Sequence, residues 1–270
     1  MKIVVCIKQV PDTADIKWTA NNTIQREGME SIINPFDEYA LETALKIKDK
    51  RPETEITVLT MGPMQAEEML RKAIARGADK AYLLSDKKFA GSDTVATSKT
   101  LAAAIRKFVP DFDLIICGQF AIDGDTAQTG PSIAQYLDIA QITYVKNVDE
   151  ICDSCVTVTK ETEIAAETLK AKLPALLCML KCEYELRPAL IDGYITAHEA
   201  EIDVLNIEAI ELSAEEAGMK GSPTYVSAAF RPEQKTPGEK IIKNSAKEYA
   251  EFLNEKVKEL KTKMGNNDKQ

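Results

Sequence analysis

The chain alternates short apolar runs with segments in which apolar residues recur every three or four positions. Apolar runs of strand length lie in the first half of the sequence, at residues 2–10, 55–62, 80–86 and 112–118. Helical patterns follow these runs, at residues 34–50, 63–77, 92–108 and from about residue 129. This alternation predicts an α/β fold with a mostly parallel, doubly wound sheet.

Capping residues predict where two of these helices begin. Asn34 precedes Pro35, which is typical of an N-cap followed by proline at the first helical position. Ser92 and Asp93 are alternative caps of the third helical segment.

The run at residues 2–10 is predicted to be one strand, and the polar excursion at residues 18–33 indicates a hairpin.

The second half of the chain changes character twice. Residues 142–180 hold further strand-like runs, and the middle ones are predicted to add an antiparallel portion to the sheet. Residues 222–240 contain prolines without periodicity, which predicts an extended arm. The segment after the arm has the pattern of an amphipathic helix, with apolar positions at Ile242, Ala246, Tyr249, Leu253, Val257 and Leu260. We expect an α/β domain over residues 1–205, with the arm and helix in residues 206–270.

Composition excludes several classes of protein. The formal charge of -9 and the pI near 5.0 argue against a nucleic-acid binder, and aromatic residues are only 6% of the chain. The longest strongly apolar stretch, residues 173–180, is too short to cross a bilayer as a helix. The first ten residues lack the long apolar region of a signal peptide, so we expect a cytoplasmic protein.

The six cysteines do not form a convincing metal site. Cys6, Cys117 and Cys178 lie in apolar runs, where cysteine usually acts as a small buried hydrophobe. The pair at 152–155 has the CxxC spacing of zinc and redox sites, but a strand would direct its two side chains to opposite faces. Because zinc needs two more ligands and His198 is the one histidine, no metal is expected.

The sequence at 119–137, QFAIDGDTAQTGPSIAQYL, is the strongest candidate for a ligand site. It follows a predicted strand and leads into a helix, and ligands of open α/β sheets bind beyond the carboxyl ends of strands. Gly124 and Gly130 permit close approach of the backbone, and the helix N-terminus favours an anion such as phosphate. Asp123 and Asp125 would repel a bare phosphate, so a nucleotide fits better. The alternative is a capped, solvated turn.

Neither common nucleotide fingerprint is present. No GxGxxG follows the first strand, and the sequence contains no GxxxxGK[ST]. Several motifs nevertheless occur in one order, namely IKQVPDT, NPFDEYALETAL, TMGP, GADKAYLLSD, FAGSDTVATS and AIDGDTAQTGP. Together they closely resemble the beta subunits of the electron-transferring flavoproteins over nearly the whole chain.

The resemblance implies a heterodimer with an alpha subunit that carries one FAD. Ordinary beta subunits hold AMP in this loop. Electron-bifurcating ones hold a second FAD, which exchanges hydride with NADH and serves a flavin dehydrogenase and a low-potential acceptor, ferredoxin or flavodoxin. The loop from Gly124 to Pro131 is similar to the bifurcating version. Because the flavin performs the redox chemistry, no catalytic side chain is expected.

The resemblance also assigns nucleotide contacts. The adenosine end would lie against Cys6, Asn34, Asp37, Met61 and Gly62. The flavin ring would approach Val10, Pro11, Gly91, Asp93 and Thr94. The phosphates would lie on the loop, at Ala121, Asp123, Gly124, Asp125, Thr126, Ala127, Gln128, Thr129, Gly130 and Pro131.

One segment departs from the family. Many relatives have a lysine-rich run that docks an acyl-CoA dehydrogenase, whereas this chain has TAHEAE at 196–201. Arg187 is similar to a family arginine, and Leu190 or Ile191 is the expected docking residue. A 2-hydroxy-acid dehydrogenase is therefore an alternative partner, and a solvated loop without a docking role is the plainer interpretation.

An adenylating enzyme of related fold and a nucleotide-free subunit are less consistent with the motifs. The amphipathic helix is expected on the alpha subunit, the alternative being that it packs on its own domain.

Overall fold

The computed structural model describes residues 1–12, 31–227, 238 and 240–267, with side chains up to residue 262. The chain divides into two compact units, Met1–Ala229 and Phe230–Gln270. Most of the predicted hairpin at 18–33 lies outside the described residues, which resume at Ser31.

The first unit contains a nine-stranded sheet. In chain order the strands of the unit are β1 (Lys2–Cys6), β2 (Gln9–Pro11), β3 (Ser31–Ile33), β4 (Glu55–Met61), β5 (Lys80–Leu84), β6 (Leu114–Gly118), β7 (Ala140–Ile151), β8 (Cys155–Glu161), β9 (Ala166–Lys172), β10 (Ala175–Met179) and β11 (Asp203–Leu205). The sheet order is β11-β5-β4-β1-β6-β10-β7-β8-β9, and β2 pairs with β3 in a separate antiparallel ribbon. Pairing is parallel from β11 to β7 and antiparallel from β7 to β9, as the sequence predicts.

Helices cover both faces of the sheet, which confirms the doubly wound architecture. The helices of the first unit are α1 (Pro35–Lys50), α2 (Glu67–Arg76), α3 (Thr94–Phe108), α4 (Thr129–Leu137) and α5 (Ile191–Glu199). Leu41 of α1 and Leu70 of α2 are buried in one apolar core, while Ile105 of α3 and Ile133 of α4 are buried in the other. The core therefore lies in two layers on either side of the strands.

The prediction of one strand over residues 2–10 is wrong. The backbone leaves the sheet after Ile7, whose amide still donates to Leu59 O of β4 at 3.0 Å. The next amide, of Lys8, donates instead to Asp37 Oδ2 of α1 at 2.7 Å. Because this side chain replaces the neighbouring strand as the acceptor, the apolar run is broken into β1 and β2.

β7 bends at Tyr144. Beyond this bend, the antiparallel strands pack on the helical layer that contains α1. Tyr144 has a left-handed backbone, with φ of 59°, and its amide donates to Gln119 Oε1 at 2.6 Å. The register between β7 and β10 shifts at this point. Beyond the bend, Val156 and Val158 of β8 are fully buried in the same core as α1. Buried Gln119 thus stabilises the turn that redirects the sheet.

The structural boundary between the units lies later than the sequence boundary at 206. β11 pairs with β5, and Ile207, Ile210 and Ala217 are buried with α3 and α4 in the second core. The described residues 206–227 therefore belong to the first unit.

The second unit contains α6 (Ala246–Asn267). Its apolar stripe of Tyr249, Leu253, Val257 and Leu260 is exposed. Among the helices of the described residues, none combines the length and apolar character required to span a bilayer.

Candidate functional site

The carboxyl ends of β1, β4 and β6 lie side by side. Cys6 is in register with Leu59 of β4 and with Cys117 of β6. The segments that leave these strands therefore meet at one edge of the sheet, and the segment that leaves β6 is the loop of residues 119–128 before α4. This is the edge where ligands of open α/β sheets bind.

The side chain of Asp37 connects the carboxyl ends of β1 and β6. Its carboxylate accepts hydrogen bonds from the amides of Lys8, at 2.7 Å, and Gly118, at 2.9 Å. The residue is 6% exposed, and this burial raises the pKa of Asp37 to about 7, although the hydrogen bonds oppose the rise. Asp37 fixes the spacing of the strand ends beneath the loop.

Asn34 holds the loop to the start of α1. It occupies the N-cap position, as predicted, but its side chain makes no capping hydrogen bond. Instead Nδ2 donates to Phe120 O at 2.6 Å, and Oδ1 accepts from Ile122 N at 3.2 Å. The Asn34 side chain thus makes the hydrogen bonds that a neighbouring strand would otherwise make to the backbone at the beginning of the loop.

The loop is also anchored through side chains on either side. Lys8 Nζ lies 2.5 Å from Asp123 Oδ1, and Thr94 Oγ1 donates to Thr126 Oγ1 at 3.2 Å. The Lys8 ammonium compensates the charge of Asp123, which removes one objection to a phosphate in this loop. Asp125 is exposed.

The two loop glycines face different surroundings. A Cβ added to Gly124 would meet nothing within 4 Å, so this residue borders open space. A Cβ added to Gly130 would lie 2.5 Å from Cys178 Sγ and 2.8 Å from Cys117 Sγ. Gly130 therefore lets α4 approach the sheet, and its absent side chain is not directed at a ligand.

The N-terminus of α4 offers hydrogen-bond donors to an anion. Gln128 occupies the N-cap position, and no side-chain cap bonds the first amides of this nine-residue helix. Uncapped amides together with the helix dipole favour phosphate. The chemistry of this donor set therefore fits the phosphate groups of a nucleotide.

The segment from Gly91 to Thr94 is organised by a distant part of the chain. Asp93 is the cap of α3, accepting from Val95 N at 2.9 Å and Ala96 N at 3.1 Å. Its other oxygen accepts from Thr224 N and Oγ1, at 3.0 and 2.7 Å. Burial opposes ionisation, but these hydrogen bonds outweigh it and lower the pKa of Asp93. The cap is thus Asp93 rather than Ser92, and it also holds residues 222–224.

The predicted contact residues fall into a buried and an exposed group. The side chains of Cys6, Val10, Asn34 and Asp37 are buried, and Gly130 is buried as well. The exposed or half-exposed group consists of Pro11, Met61, Gly62, Gly91, Asp93, Thr94, Ala121, Asp123, Gly124, Asp125, Thr126, Ala127, Gln128, Thr129 and Pro131. The predicted contact residues therefore differ in accessibility, and only those of the exposed group present much of their surface to solvent.

The cysteines differ in state. Cys6, Cys117 and Cys178 are free and buried, and burial raises the pKa of the Cys6 thiol to about 12. Within the described part of the chain, no cluster of side chains has the makings of a metal site. Cys152 and Cys155 do not point to opposite faces of a strand, because the chain turns between them and they form a disulfide.

The predicted docking segment presents an apolar surface on a fixed helix. Leu190 and Ile191 are 72% and 81% exposed, and Tyr194 and Ile195 on the next turn are also exposed. Arg187 instead points inward and pairs with Glu42 at 3.0 Å and with Asp49 at 2.6 Å. Arg187 therefore anchors the segment to α1.

Three residues with clear structural roles were not found from the sequence. Lys8 lies in the motif IKQVPDT. Nothing in the neighbouring sequence indicates that it pairs with Asp123, which is more than a hundred positions away. Thr224 and Arg71 likewise act at long range. Arg71 Nη1 donates to the backbone oxygens of Ala197, His198 and Ala200. Only the fold brings these partners together.

Comparisons with known proteins agree with this geometry. Residues 21–209 match the electron transfer flavoprotein domain. The chain is 47% identical over 260 residues to the caffeyl-CoA reductase-Etf complex subunit CarD of Acetobacterium woodii, covering 96% of this chain and 98% of that one. It is 46% identical over 244 residues to the electron transfer flavoprotein subunit beta of Megasphaera elsdenii, covering 88% and 90%. It is 47% identical over 241 residues to protein FixA of Sinorhizobium fredii, covering 86% and 84%. The chain therefore belongs to the electron transfer flavoprotein family, as a beta subunit.

Proposed function

We propose that this beta subunit binds FAD at the edge formed by β1, β4 and β6 and works in flavin-based electron bifurcation. In this proposal it forms a heterodimer with an alpha subunit in the cytoplasm. The bound FAD would accept hydride from NADH. Electrons would then pass to a flavin dehydrogenase, of the acyl-CoA or 2-hydroxy-acid type, and to ferredoxin or flavodoxin.

The uncapped N-terminus of α4 is the observation that carries the proposal. Its amides supply donors for a pyrophosphate. Lys8 compensates the charge of Asp123, and the space next to Gly124 is open. In this proposal the chain's own role is to bind and orient the nucleotide, and the loop would hold its phosphates.

The name of one relative supports the bifurcating variant. CarD is called a subunit of a caffeyl-CoA reductase-Etf complex, so that relative assembles with a reductase. The corresponding partner of this chain is proposed to dock on the exposed residues Leu190 and Ile191, which α5 presents.

An ordinary beta subunit with AMP is the second candidate. The donors at α4 are suited to phosphate, and AMP carries one phosphate that they would bind equally well. Three other relatives have the general name electron transfer flavoprotein subunit beta. This candidate differs in cofactor content and in lacking a hydride acceptor in this subunit.

Cofactor content of the purified heterodimer tests the proposal. The native complex would be isolated gently under anaerobic conditions, denatured, and its released nucleotides separated and quantified. The proposal expects about two FAD per heterodimer and reduction of flavin by NADH. One FAD with one AMP would reject bifurcation and support the second candidate.

A further inference from the structure

The turn between β7 and β8 carries a disulfide that the proposed function does not use. Cys152 and Cys155 are bonded, while Cys6, Cys117, Cys178 and Cys182 are free and buried. Cys117 Sγ and Cys178 Sγ lie 3.7 Å apart and remain thiols. The chain therefore keeps its core cysteines reduced and bonds only the pair at the surface.

The disulfide is not needed to hold this hairpin together. β7 and β8 already pair from Val145 to Ile151, and Cys152 N donates to Cys155 O at 2.9 Å across the turn. Leu173 N donates to Ser154 O at 3.0 Å, which fixes the turn to the segment before β10. A cross-link between residues three apart also restricts the unfolded chain less than one that closes a longer loop. A purely structural role explains little of its presence.

The surroundings of the pair suit thiol chemistry. Cys152 and Cys155 are half-exposed, and the two residues between them are exposed, so an attacking thiol has access. Ser154 Oγ lies 3.7 Å from Cys152 Sγ. A hydroxyl that donates a hydrogen bond to a thiolate stabilises it, so Ser154 makes Cys152 the better leaving group.

We propose that Cys152–Cys155 is a thiol–disulfide exchange site for a dithiol protein of the thioredoxin type. A thiolate of the partner attacks Cys155 Sγ, the bond between the cysteines breaks, and Cys152 leaves as a thiolate. The second thiol of the partner then attacks the mixed disulfide and releases Cys155. The pair gains two electrons and two protons, and the partner is oxidised to its own disulfide.

The position of the turn separates this site from the flavin chemistry. The turn lies next to Leu173, at the end of β10 opposite to the nucleotide edge, so the donor is an external dithiol. The inference rests on the proposed function in one respect, the cytoplasmic location, because disulfides there are usually catalytic or redox-sensing.

The experiment uses the native heterodimer and reduced thioredoxin as the probe. Thiols are labelled with a maleimide at successive times, and the labelled peptides are identified by mass spectrometry. We expect Cys152 and Cys155 to become labelled together, at least about tenfold faster than with an equal concentration of glutathione. A thioredoxin that lacks its second cysteine should remain attached covalently at Cys155.

Matched variants make the test specific. The Cys152→Ser, Cys155→Ser double variant should form no adduct, whereas Cys182→Ser, at a buried free thiol, should form it normally. The proposal is overturned if the native heterodimer forms no adduct or if its disulfide is reduced only after unfolding. Because the readout is thiol labelling, finding AMP instead of FAD would not affect the result.

Discussion

Lys8 Nζ lies 2.5 Å from Asp123 Oδ1, which joins the segment after β1 to the loop after β6. Both residues border the proposed nucleotide site. Asp123 would otherwise place an uncompensated negative charge near the phosphates, so the ion pair affects binding through charge as well as through loop geometry.

The first prediction concerns this pair. Lys8→Gln should weaken nucleotide binding by roughly twofold to fivefold, because a partly exposed pair contributes about 0.2–1 kcal/mol. Adding Asp123→Asn should restore most of the affinity, since the charge that Lys8 compensates is then absent. Titration calorimetry on the nucleotide-free heterodimer measures both effects.

A matched variant distinguishes a local effect from a general one. Lys107→Gln removes another lysine and breaks its ion pair with Glu211. Neither residue of this pair belongs to the loop. Its affinity for the nucleotide should equal that of the wild type. If the double variant at Lys8 and Asp123 binds as weakly as Lys8→Gln alone, charge compensation is not the role of this pair.

The second prediction separates the two loop glycines. Gly124→Val should keep the fold and lower nucleotide content, because its side chain would extend into the open space beside the loop. Gly130→Val should instead lower stability by about 1–3 kcal/mol, since its Cβ meets Cys117 and Cys178. The sequence alone predicted that both glycines permit close approach of the backbone to the ligand. Thermal melting and nucleotide content, measured together, distinguish the two outcomes, and equal melting temperatures would contradict the assignment.

The third prediction is a pH effect from Asp37. Aspartate in an unfolded chain has a pKa of about 3.9, whereas burial raises the pKa of Asp37 to about 7. Between these values the folded protein holds a proton that the unfolded chain has released. The contribution of Asp37 to the free energy of unfolding therefore falls as pH rises through this window, by up to about 4 kcal/mol.

Asp37→Asn tests this dependence. The variant should show a flatter stability profile between about pH 4 and 7, together with a loss of roughly 1–3 kcal/mol because one backbone amide loses its acceptor. Urea unfolding across the pH range measures both. Glu163→Gln, which alters an exposed carboxylate, should keep the wild-type slope. Parallel profiles for wild type and Asp37→Asn would rule out the titration.

Much of the fold follows from local signals, and the failures have physical causes. The apolar runs of β4, β5 and β6 were found because buried parallel strands are continuously apolar. The single strand at 2–10 was wrong because a side chain from α1 takes the amide of Lys8. The loop at 119–131 was identified from its glycines and polar residues, but its anchors at Lys8 and Asn34 are long-range contacts that no local pattern encodes.

The fourth prediction concerns the C-terminal unit. We expect residues 230–270 to hold the alpha subunit, because the stripe of α6 is exposed in this chain and each such residue contributes about 1.5–3 kcal/mol when fully buried. Leu253→Glu with Val257→Glu should abolish copurification with alpha. Glu251→Gln with Glu255→Gln, on the opposite face, should leave it intact. Tight heterodimers from a chain truncated before residue 230 would refute the assignment.

The fifth prediction concerns selection of the dehydrogenase partner by α5. This helix is held firmly, since Arg71 bonds the carbonyls at its end and a Cβ on Gly193 would collide with the backbone of Ala75. Leu190 and Ile191 are thereby presented as exposed apolar anchors. Ile191→Ala and Leu190→Ala should each slow electron transfer to the native dehydrogenase by about tenfold or more, without altering reduction of flavin by NADH.

Charge around these anchors should determine which partner is accepted. Glu199 and Glu201 are exposed beside these anchors, so a partner with a basic patch is expected. Glu199→Lys with Glu201→Lys should slow transfer at low salt, and high salt should reduce the difference because exposed charges are screened.

Arg187→Ala is a separate control, since it removes the partner of nearly buried Glu42 and should lower stability rather than recognition. Wild-type transfer in the Leu190, Ile191 and double lysine variants would show that the dehydrogenase docks elsewhere. Loss of NADH-dependent flavin reduction in them would instead indicate damage to the fold or the nucleotide site.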